Sequence, residues 1–458
     1  MKKSKTKKRR IVYAFGLIVF LIILFLVGWF FAILFEGEKP SISLEPLPKF
    51  FTKIQEFTLS IGDSKRGLKR LIISVKQGGR EINVLKKEFP FNGLLNRQGV
   101  HQFKKEIFID PLVLNLAQGR ADLYVQVWDY SRRGGGDGNH SLVQHKMIVD
   151  TIPPAIRAIS RQHNINKGGV GLIVYQTSSD TEESGVFVDD HFFPGFPVNE
   201  KSQEGIHVSY FALPYNASTT PKIYLWAKDM ADNASKTTFY VHVRGKTFRK
   251  ERLTISDRFL ERILPYFSFY PFDPGESDIK KFLIINNDLR KENHKIFVKV
   301  AKTTQPDKLW EGSFLRLKNA ATMARFADLR SYYYKGKKID EQGHFGVDLA
   351  SLPSSPIQAA NNGKVVFADR LGIYGLTVVL DHGQGLASVY AHMSKINVPL
   401  GQEVKKGESI GFTGQTGLAA GDHLHFGIMV NGVFVNPIEW FDGHWIKDNI
   451  SRKLALIK

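Results

Sequence analysis

The stretch "GDHLHFGI", residues 421–428, places two histidines one residue apart among apolar side chains. Side chains alternate between the two faces of a β-strand, so His423 and His425 in such a strand point the same way. Two imidazoles on one face can bind a metal ion, transfer protons, or simply occupy a half-exposed strand. A motif this short does not choose among these alternatives, and the rest of the chain has to decide.

The composition limits the chemistry that the chain can carry. It has 458 residues, no cysteine and a formal net charge of +19. This length suggests about three domains. Without cysteine there are no disulfides or thiolate metal sites, so a bound metal must be held by His, Asp or Glu. The basic excess favours an anionic partner, but no motif for nucleic-acid binding is present, and we expect no nucleic acid among the partners.

The N-terminus joins a basic segment to a long apolar one. Residues 1–10 contain seven Lys or Arg, and residues 11–35 are 25 residues without a charge. A helix of this length spans about 30 Å of hydrocarbon. The alternative is a cleaved signal peptide, whose apolar part is usually about 7 to 15 residues and ends at small residues. We predict an uncleaved transmembrane helix in the inner membrane, with 1–10 in the cytoplasm and the chain after 36 in the periplasm.

An internal repeat follows the apolar segment. "LYVQVWD" (123–129) matches "IYLWAKD" (223–229) at an offset of 100 residues, and an alternating strand pattern follows each copy. Short alternating runs separated by Gly, Pro, Asn and Asp are typical of β-sandwiches. We predict two immunoglobulin-like sandwiches, at 42–150 and 151–245. They either bind a partner or act as spacers that hold the C-terminal part away from the membrane.

Residues 246–318 have a different pattern and are predicted to be a helical connector. "ISDRFLERILPYF" has apolar residues at helical spacing, with Ser256 or Asp257 available as the N-cap. "DIKKFLIINNDLRKENHKIFVKVAK" also predicts a helix. This connector is either a structural linker or a segment that lies across an active site.

Residues 319–445 return to short, Gly-punctuated, β-branched segments, which predict an antiparallel β domain. In "GHFGVD", His344 and Asp348 share a face of an extended segment. Together with one histidine of "HLH" they make a set of two nitrogens and one oxygen. Zinc in hydrolases typically takes three protein ligands and leaves one position for water. The remaining histidine of the pair then lies beside the metal, where a proton-transfer group is needed.

A third histidine stretch, "VYAHMS", contains His392 near the middle of this region. It has no ligand spacing of its own, and a lone histidine is often structural. Between two other histidine motifs it is also a candidate for a second proton donor or for stabilising an oxyanion.

The three motifs together carry a resemblance to a known family. "HFGVD", "YGLTVVLDHGQGLASVYAHMS" and "GDHLHFGI", in this order, resemble the lysostaphin-like or LytM-type zinc metallopeptidases over about residues 320–445. Asp422 and Gly427 depart from the family pattern, where Pro and Glu are common. The resemblance implies Zn²⁺ as the cofactor and assigns two sets of residues: the zinc ligands His344, Asp348 and His425, and the catalytic histidines His392 and His423.

These features combine into one functional hypothesis. The resemblance implies a membrane-anchored, zinc-dependent endopeptidase that hydrolyses peptide cross-links of peptidoglycan in the cell envelope, with envelope proteins as candidate regulators. The alternative is a non-catalytic envelope regulator that activates another cell-wall hydrolase. Relatives of that kind have lost zinc ligands, whereas all five positions are filled in this sequence.

Overall fold

The computed structural model describes residues 2–198 and 205–457. The described chain forms two compact units. The first runs to Ile152 and includes Ala231–Asn233, and the second comprises Pro153–Met230 and the chain from Ala234 onward. Both units are mainly β, as predicted, and one long helix precedes the first strand.

The N-terminal helix α1 (Lys2–Leu34) contains the predicted apolar segment. From residue 7 to residue 34 it is long enough and apolar enough to cross a membrane, and no part of it is buried by the protein. Apolar side chains exposed on all sides of a helix are unfavourable in water. A helix with these properties at this end of a chain is a membrane anchor or a signal sequence.

The rest of the first unit is built from two sheets around one apolar core. Strand β7 alternates strictly between buried and half-exposed residues, as expected when one face of a sheet covers a core. The sheets have the strand orders β1-β3-β6 and β2-β8-β7-β4-β5, and both contribute buried side chains such as Phe57 and Leu123. The immunoglobulin-like assignment stays a prediction. The strands are β1 (Ser41–Glu45), β2 (Phe50–Phe51), β3 (Gln55–Gly62), β4 (Leu68–Gln77), β5 (Arg80–Glu88), β6 (Gln102–Ile109), β7 (Gly119–Asp129) and β8 (His140–Val149).

The second unit begins with another pair of sheets, ordered β14-β15-β11-β9 and β13-β12-β16-β17. The repeated sequence found at 123–129 and 223–229 forms strand β7 in the first unit and β16 here, and each copy ends at a fully buried aspartate. The strands are β9 (Ile156–Ala158), β10 (Asn164–Asn166), β11 (Val170–Thr177), β12 (Thr181–Val188), β13 (His191–Pro194), β14 (Phe196–Pro197), β15 (Ile206–Ala212), β16 (Ile223–Asp229), β17 (Ala234–Thr237) and β18 (His242–Arg244).

The region predicted as a helical connector contains three helices and a strand that was not predicted. The Oγ of Ser256 accepts a hydrogen bond from the Phe259 amide at 3.2 Å, so Ser256 caps the first of these helices, as predicted. A π-helical segment, Ile285–Leu289, joins the second helix to the third. The elements are β19 (Lys250–Ile255), α2 (Asp257–Ile263), α3 (Asp278–Ile284) and α4 (Arg290–Ala301).

The C-terminal part is dominated by a sheet of order β20-β23-β31-β27-β26-β25-β29, with β32 paired to β31. Its central strands, β27 and β31, are buried along their whole length. The elements are β20 (Ala321–Ala324), β21 (Leu329–Tyr334), β22 (Lys337–Gly343), β23 (Val347–Ala350), β24 (Pro356–Gln358), β25 (Gly363–Leu371), β26 (Gly375–Asp381), β27 (Leu386–Met393), β28 (Lys395–Ile396), β29 (Glu403–Val404), β30 (Ser409–Phe412), β31 (Leu424–Val430), β32 (Val433–Val435), α5 (Ile438–Phe441), α6 (Gly443–Ile446) and α7 (Arg452–Leu454).

The connector is packed into this part of the unit. Strand β19 pairs in parallel with β21, which pairs with β22 to complete a three-stranded sheet. On α4, the fully buried ring of Phe297 contacts Tyr374 and Phe434 at centroid distances of 4.9 and 5.2 Å. Burial of one such ring contributes about 3 kcal/mol. The C-terminal sheet therefore relies on the connector for its packing, and experiments on the site should use the whole chain.

Candidate metal centre

Two of the predicted ligands lie on neighbouring strands at directly paired positions. Asp348 on β23 is the antiparallel partner of His425 on β31. Directly opposed side chains project from the same face of a sheet and lie close together. The pairing register of these two strands therefore brings a carboxylate and an imidazole from distant parts of the sequence to one point.

The third predicted ligand, His344, lies between β22 and β23. Its Nδ1 is 2.9 Å from the carbonyl oxygen of Arg325. A carbonyl oxygen only accepts hydrogen bonds, so Nδ1 carries a proton, and in the neutral tautomer Nε2 has the lone pair that a metal would bind. A backbone carbonyl that fixes the histidine tautomer in this way is a common feature of metal sites.

The three donor atoms form a compact buried triangle. The Oδ1 of Asp348 is 2.9 Å from the Nε2 of His344 and 2.9 Å from the Nδ1 of His425, and these two nitrogens are 3.0 Å apart. All three residues are less than a tenth exposed. Burial alone raises the pKa of Asp348, but the surrounding histidines outweigh it and hold that pKa well below its usual range. Burial lowers the pKa of His425 to about 4, which keeps its ring neutral. The triangle thus offers an anionic oxygen and the ring nitrogens of two imidazoles, which is a donor set suited to a metal cation.

The glycine in "HFGVD" is required by this packing. A Cβ at Gly346 would lie 2.6 Å from the Nε2 of His425 and 2.7 Å from the carbonyl oxygen of Phe426. Both distances are shorter than van der Waals contact, so a larger residue would displace His425 from Asp348.

The other two predicted residues lie beside the triangle. The Nε2 of His423 is 3.6 Å from the Oδ1 of Asp348, and the rings of His423 and His392 have a centroid distance of 4.9 Å. The Asp422 carboxylate accepts hydrogen bonds from the Thr413 hydroxyl at 2.6 Å and the Ser354 amide at 3.2 Å, and so fixes the turn before His423. This turn gives the aspartate a structural role at a position where the family commonly has proline.

His392 is brought to the site by an irregularity at the end of β27. It has a left-handed backbone, with φ of 60°, and the pairing register between β26 and β27 shifts next to it. A non-glycine residue in this region is strained, and bulges re-aim side chains near functional sites. The Nδ1 of His392 donates to the carbonyl oxygen of Thr416 at 2.8 Å, which leaves Nε2 unprotonated when the ring is neutral.

The two outer histidines differ in their ease of protonation. Burial lowers the pKa of His392 well below its usual value, and the neighbouring His423 and His425 add to this effect. Burial also lowers the pKa of His423, but the contact with the Asp348 carboxylate outweighs it and the net shift is upward. One ring therefore favours the neutral form and its neighbour favours the protonated form.

A groove of about 440 Å³ opens over the five residues. One wall comes from β19 and the connector helices and includes Leu253, Phe259 and Phe282, together with the charged Glu251 and Arg290. The connector therefore contributes a wall of the groove. Within "NNDLRKENHK", the amides of Asn286 and Asn287 donate to Asp340, and the guanidinium of Arg290 donates to the Asn286 side chain at 2.7 Å.

One residue of the site was not found by sequence reasoning. Arg330 on β21 donates from Nη2 to the Oδ2 of Asp348 at 3.0 Å and from Nε to the Oε2 of Glu251 at 3.2 Å. It therefore holds the Asp348 oxygen that does not face the histidines, and this contact orients Oδ1 toward them. The stretch "LRSYYY" (329–334) has the residue types of a strand. Nothing in it indicates that Arg330 contacts Asp348, which lies 18 residues further along the chain.

Replacing Arg330 with Met is expected to lower metal affinity by about 10- to 100-fold, the usual effect of losing a group that orients a ligand. The substitution keeps much of the side-chain volume but removes both hydrogen bonds. Metal competition with a chromophoric chelator measures the affinity. Arg370→Met, on the exposed end of β25, is the matched control and should bind metal like the wild type. Equal affinities in the two variants would remove Arg330 from this role.

The fold and site together define a mainly β domain with a two-histidine, one-aspartate centre at the floor of a groove. Residues 342–437 match the model of peptidase family M23, and this domain belongs to that family. The resemblance to lysostaphin-like and LytM-type peptidases is thereby confirmed. The roles of the five residues within the domain stay predictions.

Several known proteins share this domain. The chain is 40% identical over 95 residues to "DD-carboxypeptidase/endopeptidase Mpg" of Neisseria meningitidis serogroup B, which covers 21% of this chain and 22% of that protein. It is 38% identical over 96 residues to "Peptidoglycan DD-endopeptidase ShyA" of Vibrio cholerae, with 21% and 22% covered. The solved catalytic domain of lysostaphin from Staphylococcus simulans is 31% identical, covers 29% of this chain and 98% of its own, and has a TM-score of 0.25. The chain thus spans about a fifth of the length of these two curated relatives.

Proposed function

We propose that this protein is a membrane-anchored, zinc-dependent endopeptidase that hydrolyses peptide cross-links of peptidoglycan. The observation that carries the proposal is the convergence of His344, Asp348 and His425 within 3.0 Å of one another in an M23 domain. His423 and His392 lie beside them at the floor of an open groove.

The donor set fits zinc. Two imidazole nitrogens and one carboxylate oxygen are typical ligands of catalytic zinc, and ligand distances of about 2.0 to 2.1 Å place tetrahedral donors about 3.3 Å apart. Separations of 2.9 to 3.0 Å are close to this value. The Nδ1 of His425 can bind the metal through its lone pair when the ring proton is on Nε2. This Nε2 has no hydrogen-bond partner among the described residues. Zinc bound here would supply a Lewis acid and an activated water.

The outer histidines are the groups available to handle protons. Glu251, the other carboxylate lining the groove, is engaged by Arg330 on the groove wall. His423, whose pKa is raised by Asp348, can hold a proton for the leaving amine. His392, whose pKa is lowered by burial, has a free Nε2 lone pair that can accept a proton. Proton transfer by positioned groups of this kind typically contributes about 10² to 10⁴-fold to a rate.

The proposed substrate agrees with the groove and with the charge of the chain. Arg290 lines the groove, and guanidinium groups recognise carboxylates. Peptidoglycan peptides carry free carboxylates, and the chain has a net charge of +19. The relatives named as peptidoglycan DD-endopeptidases support the same substrate class.

The anchoring part of the proposal rests on helix α1. Its uncharged residues 11–35 exceed the usual length of a signal-peptide core, and a basic segment precedes them. By the positive-inside rule this arrangement keeps the N-terminus in the cytoplasm. The sheets and the metal centre then face the periplasm, where peptidoglycan is found.

Digestion of purified, cross-linked sacculi by the metal-loaded full-length protein tests the proposal. Mass analysis of the soluble fragments should show cross-linked dimers converted to monomers. The isosteric variant Asp348→Asn, which lacks the ligand charge, should release none above background. Intact cross-links after incubation with a folded, zinc-loaded wild type would overturn the proposal. Stimulation of a second hydrolase under the same conditions would instead favour the regulator.

A further inference from the structure

The first unit contains a second cluster of acidic side chains, far in sequence from the M23 domain. Glu36, Asp63 and Asp129 place one carboxylate oxygen each within 4.8 Å of one another. Each residue is less than a tenth exposed. Carboxylates this close and this buried repel one another, because the interior screens charge poorly. Burial and the neighbouring carboxylates accordingly raise the pKa of Glu36 and of Asp63, and a nearby cation would relieve this repulsion.

The protein's own cations compensate only part of this charge. Arg66 is close enough to all three carboxylates to interact with their charges, but its guanidinium donates to the carbonyl oxygens of Leu95 and Tyr130 instead. None of the three carboxylates has an ion pair within the described residues. Three carboxylates without a direct ion pair give the cluster an excess of negative charge, which a divalent cation would offset.

The hydrogen bonds around the cluster also indicate a shortage of donors. The Nδ2 of Asn139 lies 2.8 to 3.1 Å from four oxygens: the Glu36 carbonyl, the Glu36 Oε1, the Glu38 carbonyl and the Asp129 Oδ2. An amide nitrogen has two protons, so it cannot satisfy all four. The region has more acceptors than donors.

One carboxylate oxygen has no hydrogen-bond partner among the residues that the structure describes. The Oδ1 of Asp63 accepts from the backbone amides of Lys65, Arg66 and Gly67, whereas its Oδ2 is buried without a hydrogen-bond partner. An unpaired charged oxygen in the interior is costly. A cation that binds this oxygen removes the cost.

We propose that Glu36, Asp63 and Asp129 form a binding site for one Ca²⁺ ion. All the available donors are oxygens, namely carboxylates and the nearby backbone carbonyls, and this excludes the softer transition metals. The donors come from the end of β7 and from two loop positions, Glu36 and Asp63. Ca²⁺ accepts six to eight oxygens in flexible geometry, whereas Mg²⁺ demands a near-ideal octahedron.

The location suggests what the ion does. Glu36 is two residues beyond the end of α1 at Leu34, Asp63 follows β3, and Asp129 ends β7. The same junction is tied by hydrogen bonds from the Ser131 hydroxyl to the Glu36 carbonyl and from the Arg132 amide to the Leu34 carbonyl. An ion here links the exit of the helix to two strands of the first unit and holds that exit in place.

Terbium luminescence on the zinc-loaded, full-length protein in detergent tests the site. Tb³⁺ replaces Ca²⁺, and Trp128 and Tyr130, which flank Asp129, are the sensitising groups. We expect sensitised emission that Ca²⁺ displaces with a dissociation constant of about 10⁻⁴ to 10⁻³ M, as in extracellular calcium modules. Ca²⁺ should also raise the melting temperature by about 4 °C or more.

Matched variants make the result specific. Asp63→Asn and Glu36→Gln should each lose both responses, while Glu106→Gln, on the exposed face of β6, should keep them. If Asp63→Asn does not fold, Glu36→Gln and the wild-type titration decide. Absence of both responses in the wild type, or unchanged responses in both variants, would overturn the site. Equal displacement by Mg²⁺ would overturn the choice of Ca²⁺.

Discussion

His344→Ala and Asp348→Ala are each expected to abolish metal binding and to lower hydrolysis of peptidoglycan by at least about 10³-fold, which corresponds to about 4 kcal/mol of barrier. Each substitution removes one of three donors from a triangle with edges of 2.9 to 3.0 Å. Two remaining donors hold zinc weakly, because a catalytic site normally uses three protein ligands. Elemental analysis of the purified full-length variants measures the metal directly.

The control for this experiment is another histidine of the same domain. His444 on α6 is exposed and is not among the residues that line the groove, so His444→Ala should keep both metal and activity. Asp348→Ala also removes one of the two carboxylate partners of Arg330, and Asp348→Asn is the variant that preserves shape. Full metal occupancy in both His344→Ala and Asp348→Ala would show that the ligand assignment is wrong.

The local part of the site was predictable from the sequence. Side-chain alternation placed His423 and His425 on one face, and both have a ring nitrogen within 3.6 Å of the same oxygen of Asp348. The spacing of His344 and Asp348 likewise predicted their convergence, although only Asp348 is in a strand. These contacts depend on backbone periodicity over a few residues, which sequence reasoning can follow.

The remaining part depends on pairing between distant segments. His392 reaches the site because β27 lies beside β31 and because the backbone at His392 is left-handed. Neither fact has a local signal. His392 was a candidate because it lies between two histidine motifs, and the family resemblance assigned it the role of a catalytic histidine. Arg330 and Glu251 meet because β19 pairs in parallel with β21, across about 80 residues of chain. A parallel pairing of this range leaves no pattern in either strand.

The fold, like the site, has parts that local sequence patterns predict and parts that depend on contacts between distant segments. The N-cap Ser256 and the helices of the connector follow from local patterns, and the structure contains them. That the connector also forms a groove wall depends on where it packs: Phe282 of α3 contacts Tyr332 of β21 at a centroid distance of 5.8 Å, and both line the groove. A helical pattern indicates which face is apolar, but it does not identify the surface that covers this face.

The second prediction with a large expected effect distinguishes the metal ligands from the catalytic histidines. His423→Ala and His392→Ala should each keep the metal and lose about 10² to 10⁴-fold in hydrolysis, the usual contribution of a proton-transfer group. Neither ring is part of the donor triangle: His423 reaches Asp348 only at 3.6 Å, and His392 is held by the Thr416 carbonyl. His425→Ala should lose metal and activity together, because its Nδ1 is one of the three donors.

Metal content and initial rates, measured on the same preparations, distinguish the two classes. Retained metal in His423→Ala and His392→Ala also serves as the control for folding, since the triangle forms only when β23 and β31 are paired. The informative comparison is between His423→Ala and His425→Ala. The two histidines are two residues apart, but only His425 supplies a nitrogen to the donor triangle. Loss of metal from His423→Ala together with its retention in His425→Ala would mean that the two roles are reversed. Wild-type rates in His392→Ala would leave the ring of His423 as the single proton-transfer group, because the Glu251 carboxylate in the groove is already engaged by Arg330.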